Sequence, residues 1–162
     1  MNFYYLRYFT RLGKNVFFEG YNGWGGSTKI FCGDNVWFGR NSFVGGNNGR
    51  INIGNNVHLA YGVIVISYDS ITIGDDVLIG EYTSIRDHDH NFKKGKLIRE
   101  QELTTSPIVI EKNVWIGRGC TILQGVTIKT GSVIGANSLV NDDIPEYSVA
   151  AGSPAKIIKK IN

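Results

Sequence analysis

Apolar residues recur every six positions through most of the second half of this 162-residue chain. From Ile110 onward, an aliphatic residue opens each hexad, and a second apolar or small residue follows four positions later. The openers are Ile110, Ile116, Ile122, Ile128 and Ile134, and the second positions are Val114, Cys120, Val126, Ser132 and Ser138. A regular short period indicates a stacked repeat architecture. Both positions are therefore predicted to point into a shared core.

A longer period divides the hexads into coils. Equivalent hexads open at Cys32, Ile53, Ile73, Ile110 and Ile128, in steps of 21, 20, 37 and 18 residues. Eighteen residues are three hexads, which predicts one turn of a three-sided coil. The 37-residue step exceeds 18 by 19 residues, so an excursion from the coil is predicted at 86–106. About five coils follow from this count.

The composition of the hexads favours an all-β solenoid. Short runs of Val, Ile and Thr are broken by Gly, Asn and Asp, which is typical of strands and corners, and no 3.6-residue period is present. One domain is predicted over 1–162, with an N-terminal cap at 1–29, the solenoid at 30–144 and a tail at 145–162. Pro154 is predicted to begin a short C-terminal helix with an apolar face of Ile157, Ile158 and Ile161.

Charge and cysteine content narrow the possible partners and the compartment. The net charge of +3 predicts no nucleic-acid partner, and no apolar run is long enough to span a membrane. The aromatic start of the chain lacks the order of a signal peptide. It is predicted to cap the first coil, with peripheral contact to a membrane surface as the alternative. Cys32 and Cys120 fall on inward positions, which predicts core residues and a reducing cytoplasm.

Candidate chemistry lies at the start of the excursion, where the chain reads Arg86-Asp-His-Asp-His. An imidazole with a free Nε2 can accept a proton near neutral pH, and a carboxylate at Nδ1 fixes its tautomer. His88 and His90 are the candidate bases, and Asp87 and Asp89 are near enough in sequence to orient them. The residues alone fit a metal pair or an ordinary polar loop equally well.

Three segments carry a resemblance to a known family. Ile85-Arg-Asp-His-Asp-His resembles the start of the active-site loop in sugar and polysaccharide O-acetyltransferases of the hexapeptide-repeat superfamily. The segment 107–117 is similar to their return into the solenoid, and 133–136 with 143–156 is similar to their C-terminal segment. The resemblance covers residues 30–160. It implies a left-handed parallel β-helix, an exception to the usual right-handed crossover between parallel strands.

The resemblance also implies an activity. In this family a loop histidine deprotonates a sugar hydroxyl, which attacks the thioester of acetyl-CoA directly, without an acyl-enzyme. The chain is thus expected to be a cytoplasmic acetyl-CoA-dependent O-acetyltransferase acting on a saccharide, such as a surface-polysaccharide or sugar precursor. The position of the histidine in the family loop favours His90 as the base, with His88 as helper or alternative. The usual assembly of the family implies a homotrimer.

Matching motifs give the expected binding residues. The implied contacts to acetyl-CoA are Trp115, Arg118, Ala136, Asn141, Lys156 and Lys159. Many relatives carry Thr-Lys before Asp-Ile-Pro, whereas Asn141 and Asp142 stand here, and the carboxylate of Asp142 would repel a phosphate. On the acceptor side, Tyr68 and Asp69 interrupt the hexad pattern and are the candidate saccharide contacts.

Three alternatives remain open from the sequence. An N-acetyltransferase acting on a nucleotide amino sugar would need the same base. A carbonic-anhydrase branch of this solenoid binds zinc through three histidines, and this chain has His58, His88 and His90. Their spacing does not fit that site, so no metal is predicted. The third alternative is a scaffold without catalytic activity.

Overall fold

The chain forms a three-sided parallel β-helix in this computed structural model, which describes residues 6–162. Within that range the chain completes six coils, and each coil gives one strand to each of three sheets. The first sheet holds β1 (Arg11–Leu12), β4 (Lys29–Cys32), β7 (Arg50–Ile53), β10 (Ser70–Ile73), β15 (Ile108–Ile110) and β18 (Thr127–Ile128). The second holds β2 (Phe17–Phe18), β5 (Trp37–Phe38), β8 (His58–Leu59), β11 (Leu78–Ile79), β16 (Trp115–Ile116), β19 (Val133–Ile134), β21 (Ser148–Gly152) and β22 (Ala155–Lys160).

The third sheet and the excursion complete the architecture. The third sheet holds β3 (Gly23–Gly26), β6 (Phe43–Gly46), β9 (Ile64–Ser67), β12 (Ser84–Arg86), β17 (Thr121–Ile122) and β20 (Leu139–Val140). The excursion contains an antiparallel hairpin of β13 (His88–His90) and β14 (Leu103–Thr105). Short 3-10 turns lie at Leu6–Tyr8 and Ile98–Glu100. Ile73 pairs with Ile110 across the excursion, so the chain resumes the coil in register.

The core lies along the axis of the coil and confirms the predicted inward positions. All ten openers and second positions between Ile110 and Ser138 are buried. Both cysteines are buried and unpaired, as predicted for core residues. Burial raises the pKa of both thiols, that of Cys32 to about 12. Neither thiol can therefore serve as a nucleophile near neutral pH.

The predicted count of about five coils is close to the six observed, whereas the extent of the N-terminal cap was wrong. The first coil, β1 to β3, lies inside the predicted cap at 1–29. Its first hexad, opened by Leu12, fits the pattern, but the aromatic Phe18 and Trp24 open the next two, so the aliphatic pattern breaks off after one hexad. Phe9 packs on this coil, with its ring centroid 4.8 Å from that of Trp24. Residues 1–5, the start of the predicted aromatic cap, lie outside the described residues.

The predicted C-terminal helix was also wrong. Residues Ala155–Lys160 form β22, which pairs antiparallel with β21 at the edge of the second sheet. The edge offers unpaired backbone groups that a strand can satisfy and a helix cannot. Ile157 and Ile158, assigned to the apolar face of the helix, are exposed on this strand.

Asparagine and aspartate occupy the corner between the first and second sheets, as predicted. Asn15, Asn35, Asn56 and Asp76 have φ between 54° and 59°, a region that tolerates Asn and Asp better than most residues. Their side chains form a ladder in which each amide donates to the next corner, over 2.9–3.1 Å. Within residues 6–162, no helix has the length and apolar character needed to cross a membrane.

Candidate active site

The excursion begins as a hairpin anchored to the neighbouring coil. The backbone N–H of Ser106 donates to the carbonyl of Asp87 over 3.0 Å, which closes the base of the hairpin. The Gln124 amide donates to Asp89 Oδ2 (3.2 Å) and to Thr104 Oγ1 (3.1 Å), one residue on each strand. The position of the histidines is therefore set by the coil, and the carboxylate of Asp89 contacts Gln124.

His88 lies at the corner where β12 leaves the third sheet. Its Nδ1 is 3.4 Å from Oδ1 of Asp87, and its side chain is 12% exposed. The ring of Tyr68 lies against the imidazole, with centroids 4.1 Å apart and planes inclined by 35°. A half-enclosed imidazole beside a carboxylate has the arrangement expected of a general base.

Asp87 is a buried acidic residue held by three hydrogen bonds. Oδ2 accepts from the Ser67 hydroxyl (2.7 Å) and from the backbone N–H of Asp69 (3.0 Å), and Oδ1 accepts from the backbone N–H of Tyr68 (2.8 Å). Buried carboxylates need such partners because desolvation is otherwise costly. The network fixes the carboxylate in the orientation in which it faces His88.

His90 has a different environment. Its side chain is exposed, two residues further along β13. Within residues 6–162, its imidazole makes no hydrogen bond or ion pair comparable with that of His88. The contacts therefore favour His88 as the general base over His90, the residue that the sequence pattern favoured.

The two candidate acceptor residues adjoin His88. Tyr68 and Asp69 follow β9, and their backbone N–H groups bind the two oxygens of Asp87. Tyr68 is 36% exposed, so its ring reaches both the imidazole and the surface. Both residues therefore lie beside the candidate base, and their role as saccharide contacts stays a prediction.

A groove of about 640 Å³ crosses the outer face of the second sheet. This volume lies within the range of small-molecule sites. It is lined by His58, Ala60, Leu78, Ile79, Gly80, Glu81, Trp115, Gly117, Arg118, Val133, Ile134, Gly135 and Ala136. Four consecutive strands, β8, β11, β16 and β19, contribute to it, and most of the lining side chains are small or apolar.

Close approach of successive coils forms the floor of this groove. A Cβ added to Gly117 would lie 2.7 Å from the backbone nitrogen of Ala136, and one on Gly80 would lie 2.5 Å from that of Arg118. Only glycine allows the coils to approach this closely, and its lack of a side chain leaves the backbone uncovered along the groove. Trp115, 55% exposed, forms an aromatic wall beside this floor.

Three of the six predicted cofactor contacts meet in the groove, and three do not. Trp115, Arg118 and Ala136 line it. Asn141 is exposed after β20, and Lys159 is exposed on β22. Lys156 Nζ lies 3.7 Å from Asp142 Oδ2 in an exposed ion pair. The negative charge of Asp142 is thus partly neutralised by Lys156, one of the two lysines expected to bind phosphate.

The groove and His88 occupy different corners of one chain. The groove lies on the second sheet and its corner with the third, whereas His88 follows the third sheet at its other end. No residue of the 86–106 excursion lines the groove. One copy alone therefore separates the candidate base from the candidate cofactor groove.

The three histidines do not converge in this chain. His58 lies in the groove on β8, and His88 and His90 lie on the hairpin. Across residues 6–162, no three His, Cys, Asp or Glu side chains are grouped so that they could hold a metal ion.

Several site residues were not found from the sequence. Ser67, which donates to the predicted Asp87, is a buried polar residue at an inward position of β9, and a polar residue at such a position is a detectable signal. Gln124 and the small residues of the groove floor gave no signal, because their roles depend on which coils become neighbours.

Two family profiles match this chain. The profile described as bacterial transferase hexapeptide (six repeats) matches residues 107–142, and the hexapeptide repeat of succinyl-transferase matches 30–67. The matched segments flank the excursion.

Curated relatives agree with the profiles. The chain is 42% identical over 122 residues to the putative lipopolysaccharide biosynthesis O-acetyl transferase WbbJ of Escherichia coli K12. That alignment covers 70% of this chain and 62% of the relative. It is 40% identical over 113 residues to the galactoside O-acetyltransferase of the same organism, covering 70% of this chain and 55% of the relative. The chain therefore spans somewhat more than half the length of these two relatives.

A solved structure extends the similarity to the fold. The hexapeptide-repeat-containing acetyltransferase VCA0836 of Vibrio cholerae, complexed with acetyl coenzyme A, is 32% identical, with a TM-score of 0.69. The match covers 96% of this chain and 73% of that one. The left-handed parallel β-helix expected from the sequence is confirmed.

Proposed function

The chain belongs to the hexapeptide-repeat transferase family, and from this premise we propose that it is an acetyl-CoA-dependent O-acetyltransferase acting on a saccharide. The observation that carries the proposal is His88, held against the buried carboxylate of Asp87 at a solvent-accessible corner. The names of two relatives, which refer to galactoside and lipopolysaccharide, support a saccharide acceptor. A reducing compartment stays a prediction.

His88 acts as general base in this proposal. Asp87 binds Nδ1–H and so leaves Nε2 free to accept a proton from the acceptor hydroxyl. The deprotonated oxygen then forms an ester bond to the acetyl carbon, and the bond from that carbon to the thiol sulfur breaks. The proton stays on His88 until it passes to the departing thiolate or to water. Asp69 is positioned to bind the acceptor, and the ring of Tyr68 lies against the imidazole of His88.

The groove fits the donor substrate. Acetyl-CoA supplies an activated thioester on a slender pantetheine arm, and Gly80 and Gly117 place no side chain in the groove that this arm would occupy. Trp115 and Val133 give the groove apolar walls. Arg118 is the cation at its edge, suited to a phosphate group. Lys159, exposed near the end of the same sheet, is a further candidate.

Substitution of Trp115 tests the groove. We expect Trp115→Ala to weaken acetyl-CoA binding about ten-fold, because burial of an exposed aromatic side chain by ligand typically contributes on the order of 1–2 kcal/mol. Isothermal titration calorimetry measures the change without knowledge of the acceptor. Trp37→Ala is the matched control, since Trp37 lies on the same face of the same sheet and does not line the groove. Equal affinity in both variants and the wild type would contradict this assignment.

We also propose a homotrimer, in which the excursion of one copy reaches the groove of the next. A single copy keeps His88 and the groove on different corners, and a second copy can bring the two together. The exposed side chains of Phe92, Leu97 and Ile98 on the excursion give it an apolar surface for such a contact.

Mixed oligomers test the shared site. A site built from two copies predicts a gain of activity on co-expression. His88→Ala chains, nearly inactive alone, and Trp115→Ala chains, weakened about ten-fold in acetyl-CoA binding, should together exceed the mean activity of the two variants at subsaturating acetyl-CoA. Mixed trimers contain some interfaces at which both wild-type residues meet. The measurement is the transfer rate of doubly tagged, co-purified oligomers, with each variant alone as control. No recovery in verified mixed oligomers would show that each copy carries a complete site.

A further inference from the structure

Tyr68, at the end of β9, packs its ring against the imidazole of His88. Its ring centroid lies 4.1 Å from that of the His88 imidazole, with the planes inclined by 35°. The ring is 36% exposed while the side chain of His88 is 12% exposed. Tyr68 therefore accounts for part of the enclosure of the imidazole and covers one of its faces.

The same carboxylate holds both partners of this stack. Asp87 Oδ1 accepts the backbone N–H of Tyr68 over 2.8 Å and faces Nδ1 of His88 at 3.4 Å. Oδ2 fixes the residues on either side of Tyr68, through the Ser67 hydroxyl and the Asp69 N–H. Asp87 thus anchors both the backbone of Tyr68 and the imidazole of His88, and so fixes the distance between the two rings.

The contact to Asp87 alone does not define the plane of the imidazole. At 3.4 Å it is long for a charge-assisted hydrogen bond, and the terminal torsion of a histidine is broad. A ring packed against one face removes this freedom, because rotation would drive the imidazole edge into the phenol. A tilted ring pair at 4.1 Å adds attraction beyond its buried area and so favours one orientation of the imidazole.

We propose that Tyr68 is a positioning residue, whose stacked ring holds the His88 imidazole in the plane where Nδ1 meets Asp87 and Nε2 remains open to the acceptor. Its effect on rate rests on the proposed acetyl transfer. The stack itself is a property of the chain and is measurable without any activity. This role differs from acceptor binding, because Tyr68 acts through His88 and not through the sugar.

The first test is kinetic and uses two substitutions. Tyr68→Ala removes the ring and keeps the backbone N–H that Asp87 binds, and we expect kcat to fall about ten-fold with unchanged KM for both substrates. Tyr68→Phe keeps the ring and should restore most of the lost rate. Tyr61→Ala is the matched control, because Tyr61 is an exposed tyrosine before β9 that packs edge-to-face on Tyr82 at the opposite end of that strand from Tyr68. A rise in the acceptor KM at unchanged kcat would overturn the proposal and assign Tyr68 to sugar binding.

The second test is spectroscopic. The Tyr68 ring current should shift the His88 ring protons upfield in the wild type and in Tyr68→Phe, and the shift should vanish in Tyr68→Ala. His88→Gln assigns the signals. Unshifted His88 protons in the wild type would overturn the proposal. A wild-type chain that transfers no acetyl group to any saccharide would defeat the proposed function, whereas the ring-current result would still decide the stack.

Discussion

Replacing His88 with alanine is expected to lower the rate of acetyl transfer by at least about 100-fold, the contribution typical of a general base. At this corner Nδ1 of His88 faces the buried carboxylate of Asp87 at 3.4 Å, a contact that favours the tautomer in which Nε2 is free to accept a proton. Without the imidazole, the acceptor hydroxyl must lose its proton to water. The release of free thiol from acetyl-CoA in the presence of acceptor measures the rate.

The other loop histidine provides the control for this prediction. His90→Ala should remain within about three-fold of the wild type, because the His90 side chain is exposed and lacks a carboxylate partner within the described chain. Acetyl-CoA affinity should be unchanged in both variants, since neither histidine lines the groove. Full loss in His90→Ala with near-normal turnover in His88→Ala would return the role of base to His90.

The substitution Asp87→Asn is expected to affect both stability and rate although it preserves shape. The two carboxylate oxygens accept three hydrogen bonds from Ser67, Tyr68 and Asp69. An amide has one oxygen and an NH₂ donor, so at least one of the backbone N–H groups would be left facing a donor. An unsatisfied buried group costs about 1–3 kcal/mol, and we expect the free energy of unfolding to fall by about 2 kcal/mol.

The rate should fall more than the stability alone explains. An amide N–H facing Nδ1 favours the tautomer that carries its proton on Nε2, which cannot accept a proton from the acceptor. We expect a loss of about 100-fold in kcat for folded Asp87→Asn. Urea unfolding at fixed protein concentration gives the stability, and steady-state kinetics gives the rate.

Asp89→Asn is the matched control for Asp87. Asp89 is exposed and contacts Gln124, and an asparagine oxygen can accept that same hydrogen bond. Its free energy of unfolding should stay within about 0.5 kcal/mol of the wild type. If Asp87→Asn were equally mild in stability and rate, the buried network would not be the device that orients His88.

Much of the fold was predictable because its physical cause is local. The hexad places Ile116 and Ile122 inward through strand alternation and corner chemistry, both of which are properties of adjacent residues. Asn35 and Asn56 at corners follow from their tolerance of positive φ. Only the opening hexad of the first coil, at Leu12, carries the aliphatic marker, and the aromatic Phe18 and Trp24 open the next two, so this coil was assigned to the cap.

The candidate site was less predictable because its contacts join distant coils. The excursion and its two histidines were visible as an interruption of the period. The choice between His88 and His90 needed the position of Asp87, and that in turn depends on Ser67 and Tyr68 from the preceding coil. The predicted tail helix failed for a similar reason, because β21 offers Ile157 a partner that local propensity does not include.

Mass spectrometry of saccharides incubated with the chain and acetyl-CoA tests the proposed O-acetyl transfer most directly. At least one member of a panel of neutral, acidic and amino saccharides should gain an acetyl group that mild base removes, as an ester requires. His88→Ala should abolish this product. An acetyl group stable to mild base would be an amide and would contradict O-transfer. No acetylated saccharide with a chain that binds acetyl-CoA would contradict the saccharide acceptor itself.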